Sequence, residues 1–333
     1  MNSTTRRFAG RILCASLLAC SALPAHVSAQ QPYPNRPVKW VVPFPPGGAT
    51  DAIARLVSHQ VEKSLGQPVV VDNRPGGNTF IAAQALRTSP ADGYTMMVAT
   101  TDLVIASNLY KAPFDIEKDF ECVGQMSAGR PFLLVARKEF PANNIREAIA
   151  YFRAHPGKVT YASYGNGSIS QLIMESFTSS VNAKLLHVPY KGAAPALQDI
   201  MSGQVDVMAD TAFNSLPMAQ GGKLKVLGIL GRERFPELPN VMTMEEAGVP
   251  ITPENDFTSF ISLLVAKGTP PQAIQAMGKA VDTALQDSAL RDGITQRAFV
   301  PQYMASKDFC AKMQRDYRLM KKIINEAGIK ADS

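Results

Sequence analysis

Two glycine-bearing stretches in this chain have the make-up of an anion cradle. Pro43-Phe-Pro-Pro-Gly-Gly-Ala-Thr-Asp51 follows the apolar run Trp40-Val-Val42. It precedes an amphipathic pattern with Ile53, Leu56, Val57, Val61 and Leu65 on one face. That order reads as strand, tight loop, helix. Gly165-Asn-Gly-Ser168 stands the same way between an apolar run over 159–163 and a helical pattern that follows. Such loops present bare backbone N–H groups at a helix N-terminus, where the first donors lack intrahelical partners and the dipole favours negative charge. A carboxylate leaving water must recover several hydrogen bonds. Gly47, Gly48, Ala49 and Thr50 offer them in the first loop, and Gly165, Asn166, Gly167 and Ser168 in the second. Phosphate is an equal candidate on this ground alone, and glycines that merely turn the chain would look the same. Asp51 puts a negative charge beside the first loop, as a helix cap or as a ligand contact.

Other chemistries find little support. There is no Gly-x-Ser-x-Gly nucleophile elbow and no phosphate loop ending in Gly-Lys-Ser/Thr. His59, His155 and His187 fall in separate elements without metal-ligand spacing. Cys122 and Cys310 either pair or stand as two buried thiols. The expectation is a binding protein rather than an enzyme, with no cofactor and no metal.

These loops need elements to hold them, and strand-like and helix-like runs alternate almost throughout. Strands are expected at 68–71, 94–99, 132–136, 159–163, 184–188, 205–209 and 224–230. Helices are expected at 79–87, from a capping box at Asn144-Ile-Arg-Glu147 to 155, and at 271–286 and 307–326. A long extended run, 257–267, comes late. This is α/β patterning with mostly parallel sheets, in two units of similar design.

The first 29 residues read as a leader. Arg6, Arg7 and Arg11 precede an apolar segment, 12–23, too short to span a bilayer, and Val27-Ser-Ala29 fits a cleavage site. Cleavage near Ala29 leaves a periplasmic protein. Losing three arginines and no acid halves the formal net charge of +6. With no Lys/Arg run elsewhere, nothing suggests nucleic acid.

An ordered series of motifs resembles one family. It includes Tyr33-Pro-x-Arg-Pro37, Val41-Val-Pro-Phe-Pro-Pro-Gly-Gly48 with Asp51, and Leu65-Gly-Gln-Pro-Val-Val-Val-Asp-Asn-Arg-Pro-Gly76. Asp92-Gly-Tyr-Thr95, Val188-Pro-Tyr-Lys-Gly192, Gly203-Gln-Val-Asp206, Glu246-Ala-Gly-Val-Pro250 and Gly268-Thr-Pro270 follow. Together they resemble the Bug-type extracytoplasmic solute receptors of tripartite tricarboxylate transporters. The resemblance implies a type II periplasmic binding protein fold, with two α/β lobes joined by two crossing strands and the ligand between them. Lobe 1 is placed at 30–128 and 258–333, and lobe 2 at 129–257. It also implies capture of a small carboxylate by hinge closure and delivery to membrane subunits. A monomer is expected. A sensing partner would need the same site.

Departures from the family pattern bear on the solute. Members commonly read Asn-Arg-Pro-Gly-Ala-Gly-Gly-small-Ile-Gly where this chain has Asn73-Arg-Pro-Gly-Gly-Asn-Thr-Phe-Ile-Ala82. Asn78, Thr79 and Phe80 therefore replace small residues. Phe44 and Phe80 are expected as an aromatic wall, and Arg130, where the chain crosses between lobes, as a second anion anchor. Lobe core for Phe80 and a hinge salt bridge for Arg130 are the alternatives. Tyr190, Lys191, Asp210 and Thr211 end strands of the second lobe and are expected at the cleft. The specific expectation is an aromatic carboxylate such as terephthalate. Aliphatic acids such as succinate or citrate are the alternative.

Overall fold

The computed structural model describes residues 33–190, 192–252 and 258–330. The expected leader and Lys191 lie outside the described residues. The chain runs β1 (Val38–Val42), α1 (Ala49–Leu65), β2 (Val69–Asn73), a short turn at Gly77–Thr79, α2 (Phe80–Arg87), β3 (Thr95–Thr100), α3 (Thr101–Leu109), β4 (Phe120–Gly129) and β5 (Phe132–Arg137). It continues through α4 (Ile145–Ala154), β6 (Thr160–Ser163), α5 (Ile169–Ser180), β7 (Leu186–Pro189), α6 (Ala193–Ser202), β8 (Val207–Asp210), α7 (Ala212–Gln220) and β9 (Leu224–Leu230). β10 (Phe260–Ala266), α8 (Pro271–Ala284), α9 (Ser288–Thr295), β11 (Phe299–Ala305) and α10 (Ser306–Ala327) complete it.

Two sheets result. One has the order β11-β4-β10-β3-β1-β2, the other β7-β6-β8-β5-β9. Only Arg130 and Pro131 separate β4 in the first from β5 in the second, and the chain returns between β9 and β10. That is the two-lobed α/β architecture with two crossings. β1 is apolar apart from Lys39 because both its faces are covered. Val38, Trp40, Val41 and Val42 are all buried, and Ile53, Ala54, Val57 and Val61 of α1 are buried with them. The box at the start of α4 forms in modified shape. Asn144 accepts from the Glu147 N–H at 3.0 Å, while the Glu147 carboxylate accepts from the Asn143 N–H at 2.7 Å.

The sheets are less parallel than the patterning suggested. β1 runs parallel to β2 and β3, and β6 to β7 and β8. β10 is antiparallel to β3 and β4, β11 to β4, and β5 to β8 and β9. A parallel neighbour needs a helical crossover within its own lobe. β5 and β10 arrive from the other lobe and are free of that constraint.

α3 is a second departure. Residues 95–109 form one nearly continuous apolar stretch in which no helical period stands out, and the structure divides it into β3 and α3. The signal for the break is Thr100-Thr-Asp102, a cap-like triplet inside the run. Cys122 of β4 and Cys310 of α10 form a disulfide across 188 residues of sequence.

Candidate functional site

α1, α3, α5 and α7 each follow directly on the C-terminal end of a strand, β1, β3, β6 and β8. Their N-termini therefore gather at one edge of the two sheets, where α/β folds characteristically bind ligands. A cleft of about 710 Å³ opens there. It is lined by Gly48, Ala49 and Thr50 of α1, Asp102 of α3, Ser168 and Ile169 of α5, Gly192 and Ala193 of α6, and Thr211, Phe213 and Asn214 of α7. Five helices thus present their positive ends to one space. Four of them, α1, α3, α6 and α7, have no side-chain cap bond at the N-terminus. In α3 the Asp102 carboxylate takes its own N–H; the first donors of α1, α6 and α7 are left for a guest. A second cavity of about 620 Å³ is lined by Glu175, Ser176 and Thr178–Ser180 of α5, by Lys184, and by Ile323, Glu326 and Ala327 at the end of α10. Two helix C-termini and two glutamates against one lysine suit an anion poorly.

The first loop is braced from behind. Asp51 does not line the cleft. Its carboxylate accepts from the Gly47 N–H at 2.9 Å, the Asn73 amide at 2.8 Å and the Arg55 Nε at 3.1 Å. Asn73 also donates to the Phe44 carbonyl at 3.0 Å. Burial pushes the Asp51 carboxyl up, but Arg55, Gly47 and Asn73 together outweigh it and hold the group below the usual carboxylate range. Asp51 is therefore a brace that also uses up the Gly47 donor. The N–H groups of Ala49 and Thr50 stay free among the described residues.

The second loop is braced by side chains. Ser168 Oγ donates to the Gly165 carbonyl at 2.7 Å, and the Gly167 N–H donates to Gln171 at 2.7 Å. Gly165, Asn166, Gly167 and Ser168 all line the cleft. Gly167 has φ +72°, and a Cβ there would stand 2.1 Å from Cδ2 of Leu109, at the end of α3 in the opposite lobe. Gly167→Ala should hold the lobes apart or force Leu109 to swing. We expect carboxylate affinity to fall roughly tenfold, about 1.4 kcal/mol, because the added Cβ must displace Leu109 whenever the lobes close. The liganded protein should keep a larger radius of gyration in solution scattering. Wild-type affinity in that variant would show that Leu109 yields.

Of the other expected residues, Phe44, Asn78, Thr79 and Thr211 line the cleft. Asn78 and Thr79 do so with φ of 52° and 75°, which is costly for a β-branched Thr. Phe80 does not join the wall. It packs edge-on against Phe114 at 5.2 Å, within the lobe's core. Tyr190 turns away to donate to Asp199 at 2.6 Å. Asp210 is fully buried and accepts from Tyr164, Asn214 and Ser215. Burial pushes its carboxyl up against those three donors. It is a positioning group that fixes the Tyr164 ring at the cleft. The aromatic wall is instead Phe44, Tyr110, Tyr164, Phe213 and Phe299. Tyr110 and Asp102 are hidden in the sequence with α3, and Phe299 with β11.

Arg130, expected as a second anchor, lies off the cleft wall. Its guanidinium makes two bonds of 2.9 Å to the Glu237 carboxylate and lies 3.7 Å above the Phe235 ring. A guanidinium so engaged has little left for a solute. The Arg130 bonds hold the Glu237 carboxyl below its usual 4.5. This stabilisation is present above that value and is lost as pH falls through the lowered one. Arg130→Ala should cost about 1 kcal/mol at neutral pH, less as the medium is acidified, and should leave solute affinity within about threefold. Melting curves across pH, with a titration at neutral pH, check both.

No helix among the described residues is long and apolar enough to cross a membrane. A family model described as "Tripartite tricarboxylate transporter family receptor" matches residues 53–329. The Bordetella pertussis protein BugT is 33% identical over 287 residues, covering 85% of this chain and 86% of its own. An R. palustris protein solved with adipate superposes with a TM-score of 0.77 at 30% identity, over 90% of this chain and 99% of that one. MatC from Rhodopseudomonas palustris, solved with bound malate, does so with a TM-score of 0.73 at 31% identity, over 88% and 100%.

Proposed function

We propose that this chain, which belongs to the tripartite tricarboxylate transporter receptor family, captures a small aromatic carboxylate between its lobes and hands it to transporter membrane subunits. The observation that carries the carboxylate is the set of uncapped N-termini of α1, α6 and α7 around one cleft. No Lys, Arg or His lines that cleft among the described residues. Backbone donors and helix dipoles would supply the positive field, strongest once closure excludes water. Gly48, Ala49 and Thr50 would take one side of the carboxylate, with Gly165–Ser168 and the starts of α6 and α7 opposite. Phe44, Tyr110, Tyr164, Phe213 and Phe299 favour a ring.

Terephthalate remains a member of the class, although its second carboxylate would lack the Arg130 anchor. The aliphatic alternative has its own support, since the two structural relatives above were solved with adipate and malate. Titration calorimetry of the mature protein with benzoate, terephthalate, adipate, malate, succinate and citrate separates the readings. Aromatic acids should bind at least about tenfold tighter. No heat with either aromatic acid overturns the ring, and no heat with any member overturns the carboxylate. We further read the protein as exported, cleaved near Ala29 and monomeric. The disulfide suits an oxidising compartment. Solute uptake lost on deleting the gene, with transcription of the transporter genes unchanged, would favour delivery over sensing.

A further inference from the structure

Asp102 is the acid the fold places in the cleft wall, and carboxylate capture as described above has no use for it. It stands in the first turn of α3. Thr100 Oγ1 donates to its Oδ2 at 2.9 Å, and its own backbone N–H is the other support. A carboxylate has room for about four hydrogen bonds, so acceptor capacity is left over. An acid in the first helical turn is ordinarily held down by the dipole. Burial instead pushes the Asp102 carboxyl up, the mark of a carboxylate short of donors. No cationic side chain shares the cleft wall among the described residues. The turn packed against α3 carries Thr79, which is 4% exposed and lines the same cleft. Its hydroxyl has no partner among the described residues.

We propose that Asp102 selects the solute: the cleft takes a carboxylate whose far end carries a hydrogen-bond donor, a hydroxyl or an ammonium, and disfavours one whose far end is a second carboxylate. The proposal rests on carboxylate capture by the helix N-termini and adds the chemistry of the opposite end. A donor bound to an ionised acceptor away from water is among the stronger hydrogen bonds. A second carboxylate would meet a like charge with no neutralising cation beside it. The simpler role for Asp102, offsetting the α3 dipole, predicts no preference between far ends.

Matched ligands decide. Calorimetry on the mature protein compares benzoate with para-hydroxybenzoate, para-aminomethylbenzoate and terephthalate, and butanoate with 4-hydroxybutanoate, 4-aminobutanoate and succinate. The donor-bearing acid should bind about tenfold or more tighter than its parent in at least one series, and terephthalate should bind less tightly than the donor-bearing benzoates. The hydroxyl and ammonium arms show which donor is read. Asp102→Asn should strengthen the plain acids several-fold by removing a like charge, and shrink the donor preference to about threefold or less. Parent acids that bind while the donors add nothing overturn the role of Asp102 and leave carboxylate capture standing. A preference that survives Asp102→Asn and Asp102→Ala also overturns that role. Should neither variant fold, the matched pairs on the unaltered protein decide alone. No heat with any acid overturns carboxylate capture, and this proposal with it.

Discussion

Gly48→Val should fold like the wild type and bind its carboxylate at least about a hundredfold more weakly. Both halves of that expectation come from the same residue. Gly48 is the N-cap of α1, with φ −75° and ψ 168°, extended backbone that a β-branched residue adopts readily. A Cβ there meets only the Pro45 carbonyl, at 3.9 Å. Replacing Gly by Val at a cap costs about 1 kcal/mol, a melting shift of roughly 3 °C for a protein of this size. The same position lines the cleft beside the free N–H groups of Ala49 and Thr50. An isopropyl group there would hold a carboxylate off those donors. Two charge-assisted hydrogen bonds lost together amount to about 3 kcal/mol or more. Calorimetry and a melting curve on the same sample check both halves. Unchanged affinity in a folded variant would move the carboxylate away from α1.

Removing the disulfide should have the opposite profile, a large loss of stability and little change in binding. Cys122 and Cys310 close a loop of 188 residues. Chain entropy alone sets a limit of about 5 kcal/mol for so long a loop, and native bridges commonly deliver about 2–4 kcal/mol. We expect Cys122→Ser with Cys310→Ser to lower the melting temperature by roughly 5–10 °C. Neither cysteine lines the cleft, so affinity at room temperature should stay within about threefold. The bridge fastens α10 to β4, which leads through Arg130 and Pro131 into the second lobe. Weaker binding in a protein that is still folded would therefore reveal that α10 helps set the angle between lobes.

Both variants test features that stand differently toward the sequence. The loop at Gly48 is legible because its ingredients are contiguous: an apolar run, prolines, two glycines and an amphipathic period. The loop at Gly165 is legible for the same reason. The disulfide is not, because its partners lie far apart in the chain and only folding brings their Cα atoms to 5.7 Å. α3 is hidden because its buried residues, Thr101 and Leu103–Ala106, are spread round the helix and carry no period to read. Asp102 was hidden with it.

Four residues expected at the cleft lie off its wall. Phe80, Tyr190 and Asp210 each sit beside a loop or strand end that does reach the cleft, and Arg130 sits at a crossing between lobes. Whether a side chain points into the cleft depends on partners that are remote in sequence or on a rotamer. Phe114 draws Phe80 into the core, Glu237 and Phe235 hold Arg130, and Tyr164 and Ser215 enclose Asp210. The α/β alternation, the two anion-cradle loops and the family are all written in local pattern and order, and so are legible along the chain. Only the assembled fold shows which side chains line the cleft, that the N-termini of α1, α6 and α7 stand open around it, and that an acid on α3 shares their space. Those facts depend on which strands neighbour one another, and β5 and β10 enter their sheets from the opposite lobe in a direction that no local pattern encodes.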